Sequence, residues 1–236
     1  MDSQLDTVVL IHGFGGKRLW MAPLAFRLAR KYQLLNWPYF SYGGSIDEHG
    51  ARLAEFIDNI ETKNRINIVA HSMGSIVTRA ALQKTQTNIN RVVMLAPPNY
   101  VSHIARIVDP ILGPICRPIR QLSSRENSYV NQLPETTPCE TGVIASKFDI
   151  SVPVKNTLME DLADHQTVFG THNSLLFSGR IAKMTTQFEP EILPDNKPLN
   201  RRRACGRFGT SMNNRPDAVI LDVIRLRSYV KERHSQ

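Results

Sequence analysis

Short runs of apolar and β-branched residues alternate with segments of helical periodicity along the first part of the chain. The apolar runs occupy residues 7–11, 65–70 and 91–96, and such runs are typical of strands buried on both faces of a sheet. Between them, residues 19–32 and 45–62 repeat apolar positions at helical spacing. The alternation predicts an α/β fold with a mostly parallel central sheet flanked by helices on both faces.

The alternation breaks over residues 100–138, where prolines interrupt the apolar stretches. We expect a small helical cap insertion here, over the ends of the strands. Its apolar stretch at 101–122 fits a lid over the strand ends and a simple closure of the core equally well. Regular patterning resumes near residue 142 and fades after residue 189. We therefore predict one main domain at 1–189 and a basic C-terminal extension at 190–236. In the resumed part, strands are expected at 142–146 and 167–169, with helices near 156–162 and at 174–184.

Charge is concentrated at the C-terminus of the 236-residue chain. The net charge is +8, and residues 201–236 carry nine Lys/Arg against three Asp/Glu, or +6. A solvated appendage and contact with an anionic membrane surface both remain open for this segment. Nucleic acid is not an expected partner, because no helix-turn-helix, zinc module or RNA-binding signature accompanies the charge.

The three cysteines, Cys116, Cys139 and Cys205, show no metal or redox spacing. We read them as reduced thiols. The acidic N-terminus is not typical of a signal peptide, and no apolar stretch has the length of a membrane span. A cytoplasmic location is expected.

The strongest chemical signal is the turn that carries Ser72, in the segment Ala70-His71-Ser72-Met73-Gly74-Ser75. It lies between a predicted buried strand and a predicted helix. A serine on such a turn is held in a strained conformation that lifts its hydroxyl clear of the sheet. Small residues two positions before and after it allow strand and helix to pack closely. We interpret Ser72 as a nucleophile.

A second signal is the glycine-rich segment His12-Gly13-Phe14-Gly15-Gly16, which follows the first strand. Acyl transfer passes through a tetrahedral oxyanion that preorganised backbone N–H groups must face. We expect one donor from Phe14 and the other from Met73, the residue after the nucleophile. Neither dinucleotide spacing nor a Walker lysine is present, so a phosphate-binding loop is not favoured.

A serine nucleophile needs a base and a group that orients the base. Both should emerge where Ser72 does, at the carboxyl ends of the parallel strands. His172 follows the last predicted strand, whereas His165 precedes it. Asp149 follows the strand at 142–146, and Asp164 is kept as a reserve acid.

With these motifs the chain resembles the α/β-hydrolase superfamily, in particular its small lipases and esterases. The resemblance covers about residues 7–188 and departs from the family pattern at Ala70 and Ser75, where glycine is usual. It implies hydrolysis of a small-molecule or lipid ester by Ser72, His172 and Asp149, with Phe14 and Met73 holding the oxyanion. No metal or organic cofactor is implied.

Three other functions stay open at this point. The same residues serve a thioesterase or an acyltransferase. A non-catalytic binding protein of this fold would keep the machinery unused.

Overall fold

The structure is a computed structural model that describes residues 5–100, 117–122 and 129–187. Six strands form one sheet in the order β2-β1-β3-β4-β5-β6, and every neighbouring pair is parallel. The predicted parallel sheet is therefore confirmed. The strands are β1 Thr7–Ile11, β2 Gln33–Asn36, β3 Ile66–His71, β4 Ile89–Leu95, β5 Glu140–Ser146 and β6 Asp164–Val168.

Helices cover both faces of this sheet. On one face α2 and α3 pack over a core that includes Ile68, Ile76 and Met94. On the other face α1 and α6 enclose a second core around Leu10 and Leu24. The α-helices are α1 Ala22–Leu28, α2 Ile46–Asp58, α3 Met73–Leu82, α4 Arg117–Leu122, α5 Tyr129–Gln132 and α6 Gly179–Gln187.

Local sequence signals explain where α2 begins. The hydroxyl of Ser45 accepts a hydrogen bond from the backbone N–H of Glu48, and the Glu48 carboxylate accepts one from the backbone N–H of Ser45. This reciprocal capping box satisfies two helix-end donors. The predicted start of the helix at Ser45 is confirmed.

The helix predicted at 19–32 is a 3-10 helix, Arg18–Met21, followed by α1. Three further predicted elements, after residue 150, differ from the structure. The last strand begins at Asp164, three residues earlier than predicted, and its side chains are mostly polar and partly exposed because it lies at the sheet edge. The predicted helix at 174–184 is a short 3-10 helix, Ser174–Phe177, followed by α6. The predicted helix near 156–162 is only the 3-10 turn Val154–Thr157.

Most of the expected cap at 100–138 lies outside the described residues. Within it the structure shows α4 and α5, whose Leu122 and Val130 pack into the core beneath. The extension at 190–236 also lies outside the described part. None of the helices in the described ranges is long and apolar enough to cross a lipid bilayer.

Candidate active site

Ser72 occupies a one-residue turn between β3, which ends at His71, and α3, which begins at Met73. Its backbone has φ 52° and ψ −126°, a region that residues with side chains rarely adopt. The Ser72 N–H donates to the carbonyl of Leu95 on β4 at 2.8 Å. This bond anchors the strained residue to the sheet while its hydroxyl points away from it.

Two glycines make this turn geometrically possible. A β-carbon at Gly13 would lie 2.9 Å from the β-carbon of Ser72, and one at Gly74 would lie 2.5 Å from the carbonyl oxygen of His12. Both distances are shorter than van der Waals contact allows. The helix, the strand and the loop after β1 therefore approach more closely here than side chains would permit.

Hydrogen bonds link the side chains of the predicted nucleophile, base and acid in one chain. The Ser72 Oγ is 2.8 Å from the Nε2 of His172, and the Nδ1 of His172 is 2.6 Å from the Oδ2 of Asp149. Because a carboxylate can only accept, Nδ1 donates to Asp149 and Nε2 is left to accept the serine proton. This is the arrangement of a nucleophile, a base and a group that orients the base.

The Asp149 carboxylate is held at both oxygens. Its side chain is 0% exposed, and its Oδ1 accepts the backbone N–H groups of Ser151 and Val152, each at 2.8 Å. Oδ2 is thereby left for His172. A buried acceptor fixed in this way sets both the tautomer and the orientation of the imidazole.

The two loops that carry the acid and the base are bonded to each other beyond the ends of β5 and β6. The backbone N–H of Lys147 donates to the carbonyl of Val168 at 2.8 Å, and that of Phe148 donates to the carbonyl of Gly170 at 3.0 Å. The parallel pairing therefore continues up to the residue before Asp149. The two hydrogen-bonded loops therefore position the acid and the base together.

The predicted oxyanion donors lie on either side of the serine turn. Met73 is fully buried and is the first residue of α3, so its N–H has no acceptor inside the helix. Phe14 lies in the loop after β1 with its ring edge-on to Tyr42. The Gly15 N–H donates to the hydroxyl of Ser41 at 3.0 Å, which pins the loop. The assignment of Phe14 and Met73 as donors stays a prediction.

Other histidine, acid and thiol side chains of the domain are not part of this hydrogen-bonded chain. His165 is inside β6, and its Nε2 is 2.8 Å from the hydroxyl of Thr157. The reserve acid Asp164 is the first residue of that strand, at the opposite end from His172. Burial raises the pKa of the Cys139 thiol to about 11, so it stays protonated at neutral pH and is a poor nucleophile.

His71, the last residue of β3, lies beside the site and contacts the base. The Nε2 of His71 donates to the backbone carbonyl of His172 at 3.1 Å, and the two rings lie 4.8 Å apart. His71 thus supports the base directly, across 101 residues of sequence. No local pattern reports a contact of that separation.

Full burial, together with the nearby His172, lowers the pKa of His71 to about 3 from its ordinary 6.5. The unfolded chain therefore binds this proton first as the pH falls. The stability contribution of neutral His71 is complete above pH 6.5 and is lost on acidification toward pH 3, by at most about 1.4 kcal/mol per pH unit.

We expect His71→Gln, which cannot be protonated, to flatten the acid-side decline in the free energy of unfolding. Urea unfolding of both proteins at several values between pH 6.5 and pH 4.5 measures this difference. Two parallel curves would mean that His71 is not the group that takes up the proton. Histidines that do not interact with His71, such as His165, contribute equally to both proteins and cancel in the comparison.

Comparisons with known proteins agree with this architecture. A family model for the alpha/beta hydrolase fold matches residues 6–113. The mature form of a Bacillus licheniformis lipase superposes with a TM-score of 0.64 at 18% identity, over 78% of this chain and 91% of the lipase. No curated protein matches the sequence.

Two further solved structures are similar at comparable levels. A lipase-esterase related protein from Clostridium acetobutylicum has a TM-score of 0.58 at 15% identity, over 79% of this chain and 96% of that protein. An enol-lactonase from Burkholderia xenovorans has a TM-score of 0.61 at 13% identity, over 78% and 91%. At such identities the similarity establishes the fold, and the chemistry has to be argued from the site.

Proposed function

Because this chain has the α/β-hydrolase fold, we propose that it is a serine hydrolase that cleaves carboxylic esters through an acyl-enzyme on Ser72. The observation that carries the proposal is the hydrogen-bonded chain from Ser72 through His172 to the buried Asp149. The lipase, the lipase-esterase related protein and the enol-lactonase among the similar structures support an ester substrate.

The geometry supports a two-step reaction. Nε2 of His172 takes the Ser72 proton as the oxygen attacks the ester carbonyl, and the imidazolium that forms faces the Asp149 carboxylate. The carbonyl oxygen becomes an oxyanion, which the N–H groups of Phe14 and Met73 would receive. His172 then protonates the departing alcohol. A water molecule, deprotonated by His172, releases the acid and restores Ser72.

The test combines covalent labelling with turnover. A fluorophosphonate probe should phosphonylate the folded protein once, and mass spectrometry of its peptides should locate the adduct on Ser72. p-Nitrophenyl esters of increasing acyl length, from acetate to palmitate, should be hydrolysed, and their order would give the chain-length preference. A folded protein that neither labels nor hydrolyses any ester would contradict the proposal. Labelling without ester turnover would instead favour a thioester substrate.

The role of the acid gives a graded prediction. We expect Asp149→Asn to lower kcat/KM for p-nitrophenyl esters by about 10³-fold or more, because an amide no longer fixes the tautomer of His172 or stabilises its charged form. The matched control is Asp164→Asn. That residue bonds Gln166 at the far end of β6, so its loss should leave the rate within about twofold. The reverse ranking of the two variants would assign the acid to Asp164.

A further inference from the structure

A stretch of the folded body near the N-terminus carries positive charge but no acidic residue. Residues 7–46 contain five Lys/Arg and no Asp or Glu. The five are Lys17, Arg18, Arg27, Arg30 and Lys31, and all are exposed. Among the described residues, no carboxylate forms an ion pair with any of them. Their charge is therefore directed to solvent and to whatever approaches this side of the protein.

The same stretch exposes large apolar side chains between its cations. Leu19 is 75% exposed, Trp20 is 45% exposed and Phe26 is 79% exposed. The opposite side of this helical segment already buries Met21, Leu24 and Leu28 in the core. The exposed apolar side chains therefore do not contribute to the core. Exposed aromatic and aliphatic side chains interleaved with cations are the composition of surfaces that lie in a membrane interface.

This surface adjoins the loop that carries Phe14. Lys17 directly follows the His12–Gly16 segment, and the 3-10 helix Arg18–Met21 continues from it into α1. An open depression of about 410 Å³ is lined by His12, Lys17, Arg18, Tyr39 and other residues. Lys17, Arg18 and the serine turn are consequently at the same edge of the sheet, where β1 and β3 end. From there α1 runs back toward Arg30 and Lys31, which precede the start of β2.

We propose that residues 17–31 form a docking surface for an anionic lipid bilayer. The five cations would attract acidic headgroups, and Leu19, Trp20 and Phe26 would enter the boundary between headgroups and acyl chains. Nucleic acid fits less well, because an exposed leucine gains nothing against phosphates and cannot stack on a base. The docking does not depend on the esterase chemistry, since none of these residues contacts Ser72, His172 or Asp149.

Vesicle sedimentation of the full chain tests the charged half of the proposal. Vesicles of phosphatidylcholine with about 30% phosphatidylserine should bind the protein, and phosphatidylcholine alone should bind it far more weakly. Arg27→Gln/Arg30→Gln/Lys31→Gln should weaken binding to the acidic vesicles by about 100-fold. The control Arg52→Gln/Lys63→Gln/Arg65→Gln removes the same charge from other exposed positions and should bind nearly as wild type.

The apolar half is tested by Leu19→Ser/Phe26→Ser. Binding to the acidic vesicles should fall about tenfold or more in this variant, while binding to random duplex DNA should not change. The thermal unfolding midpoint of each variant, measured by circular dichroism, checks that the fold is kept. No binding of wild type to acidic vesicles, equal losses in the two glutamine triples, or an apolar variant that binds as wild type would each overturn the proposal.

The tryptophans report where the bilayer sits. The chain has two, of which Trp37 is only 6% exposed. Brominated phospholipids should quench and acidic vesicles should blue-shift the emission of Trp20. The Trp20→Phe protein should still bind but lose both effects. Quenching that persists in Trp20→Phe would place the membrane contact elsewhere and overturn the proposal.

Discussion

We expect Ser72→Ala to abolish ester turnover, with a fall in kcat of about 10⁴-fold to 10⁶-fold. The variant removes the oxygen that lies 2.8 Å from the Nε2 of His172 and that the proposed reaction uses to attack the ester carbonyl. The fold should be unaffected. The Ser72 N–H keeps its bond to Leu95, and alanine has the same β-carbon that this backbone already accommodates in serine. Initial rates with p-nitrophenyl esters measure the loss.

The matched control for this variant is Ser75→Ala. Ser75 is buried in the same motif, and its hydroxyl donates to the carbonyl of Ala70 at 3.2 Å. Its loss removes a hydrogen bond without touching the reacting atoms, so the rate should stay within about threefold. A folded Ser72→Ala protein that retains turnover would place the nucleophile elsewhere.

His172→Ala is expected to lower kcat nearly as far, by about 10⁴-fold or more. Without the imidazole, Ser72 has no acceptor for its proton at 2.8 Å and the leaving alcohol has no donor. Fluorophosphonate labelling should slow in parallel, because the probe is attacked by the same activated oxygen. His165→Ala is the control, since it removes only the contact with Thr157.

A double variant gives a sharper check on the shared role of these residues. Groups that act as one unit are not additive, so Ser72→Ala/His172→Ala should be no slower than Ser72→Ala alone. A further drop in the double variant would mean that His172 acts in some way other than on Ser72.

The parts of the fold that the sequence predicts well are those set by local chemistry. The run Thr7–Ile11 matches β1 because all five of its residues are buried and the glycine-rich loop ends it. The start of α2 is marked by Ser45 and Glu48, which bond each other. The pattern predicts a start of the last strand three residues after the observed one, because Asp164, His165 and Gln166 are polar. These residues form a strand because they pair with β5, and no alternation of apolar and polar positions marks them as a strand in the sequence.

The candidate site shows the same division. Ser72, Asp149 and His172 could be chosen because parallel strands deliver the residues after them to one edge. The structure brings these three together, while their catalytic roles stay a prediction for the experiments above. The contact of His71 with the His172 carbonyl, and that of the Tyr39 hydroxyl with the His12 carbonyl at 2.8 Å, depend on tertiary packing. A pattern of residue types does not contain that information.

The sequence predicts only part of the distribution of charge over the protein surface. Counting charges drew attention to the C-terminal extension, where +6 of the net +8 lies. Residues 7–46 of the body also hold five Lys/Arg and no acidic residue, and the structure adds that all five cations are exposed. The orientation of α1 against the sheet determines which of those cations share a surface with Trp20 and Phe26.

The bonds from Lys147 to Val168 and from Phe148 to Gly170 limit how the loops after β5 and β6 can vary in length. A residue inserted between Ser146 and Asp149 would shift the acid along its paired neighbour and away from His172, unless the other loop gained a matching residue. Natural or designed variation that keeps the enzyme working should therefore change these two loops together.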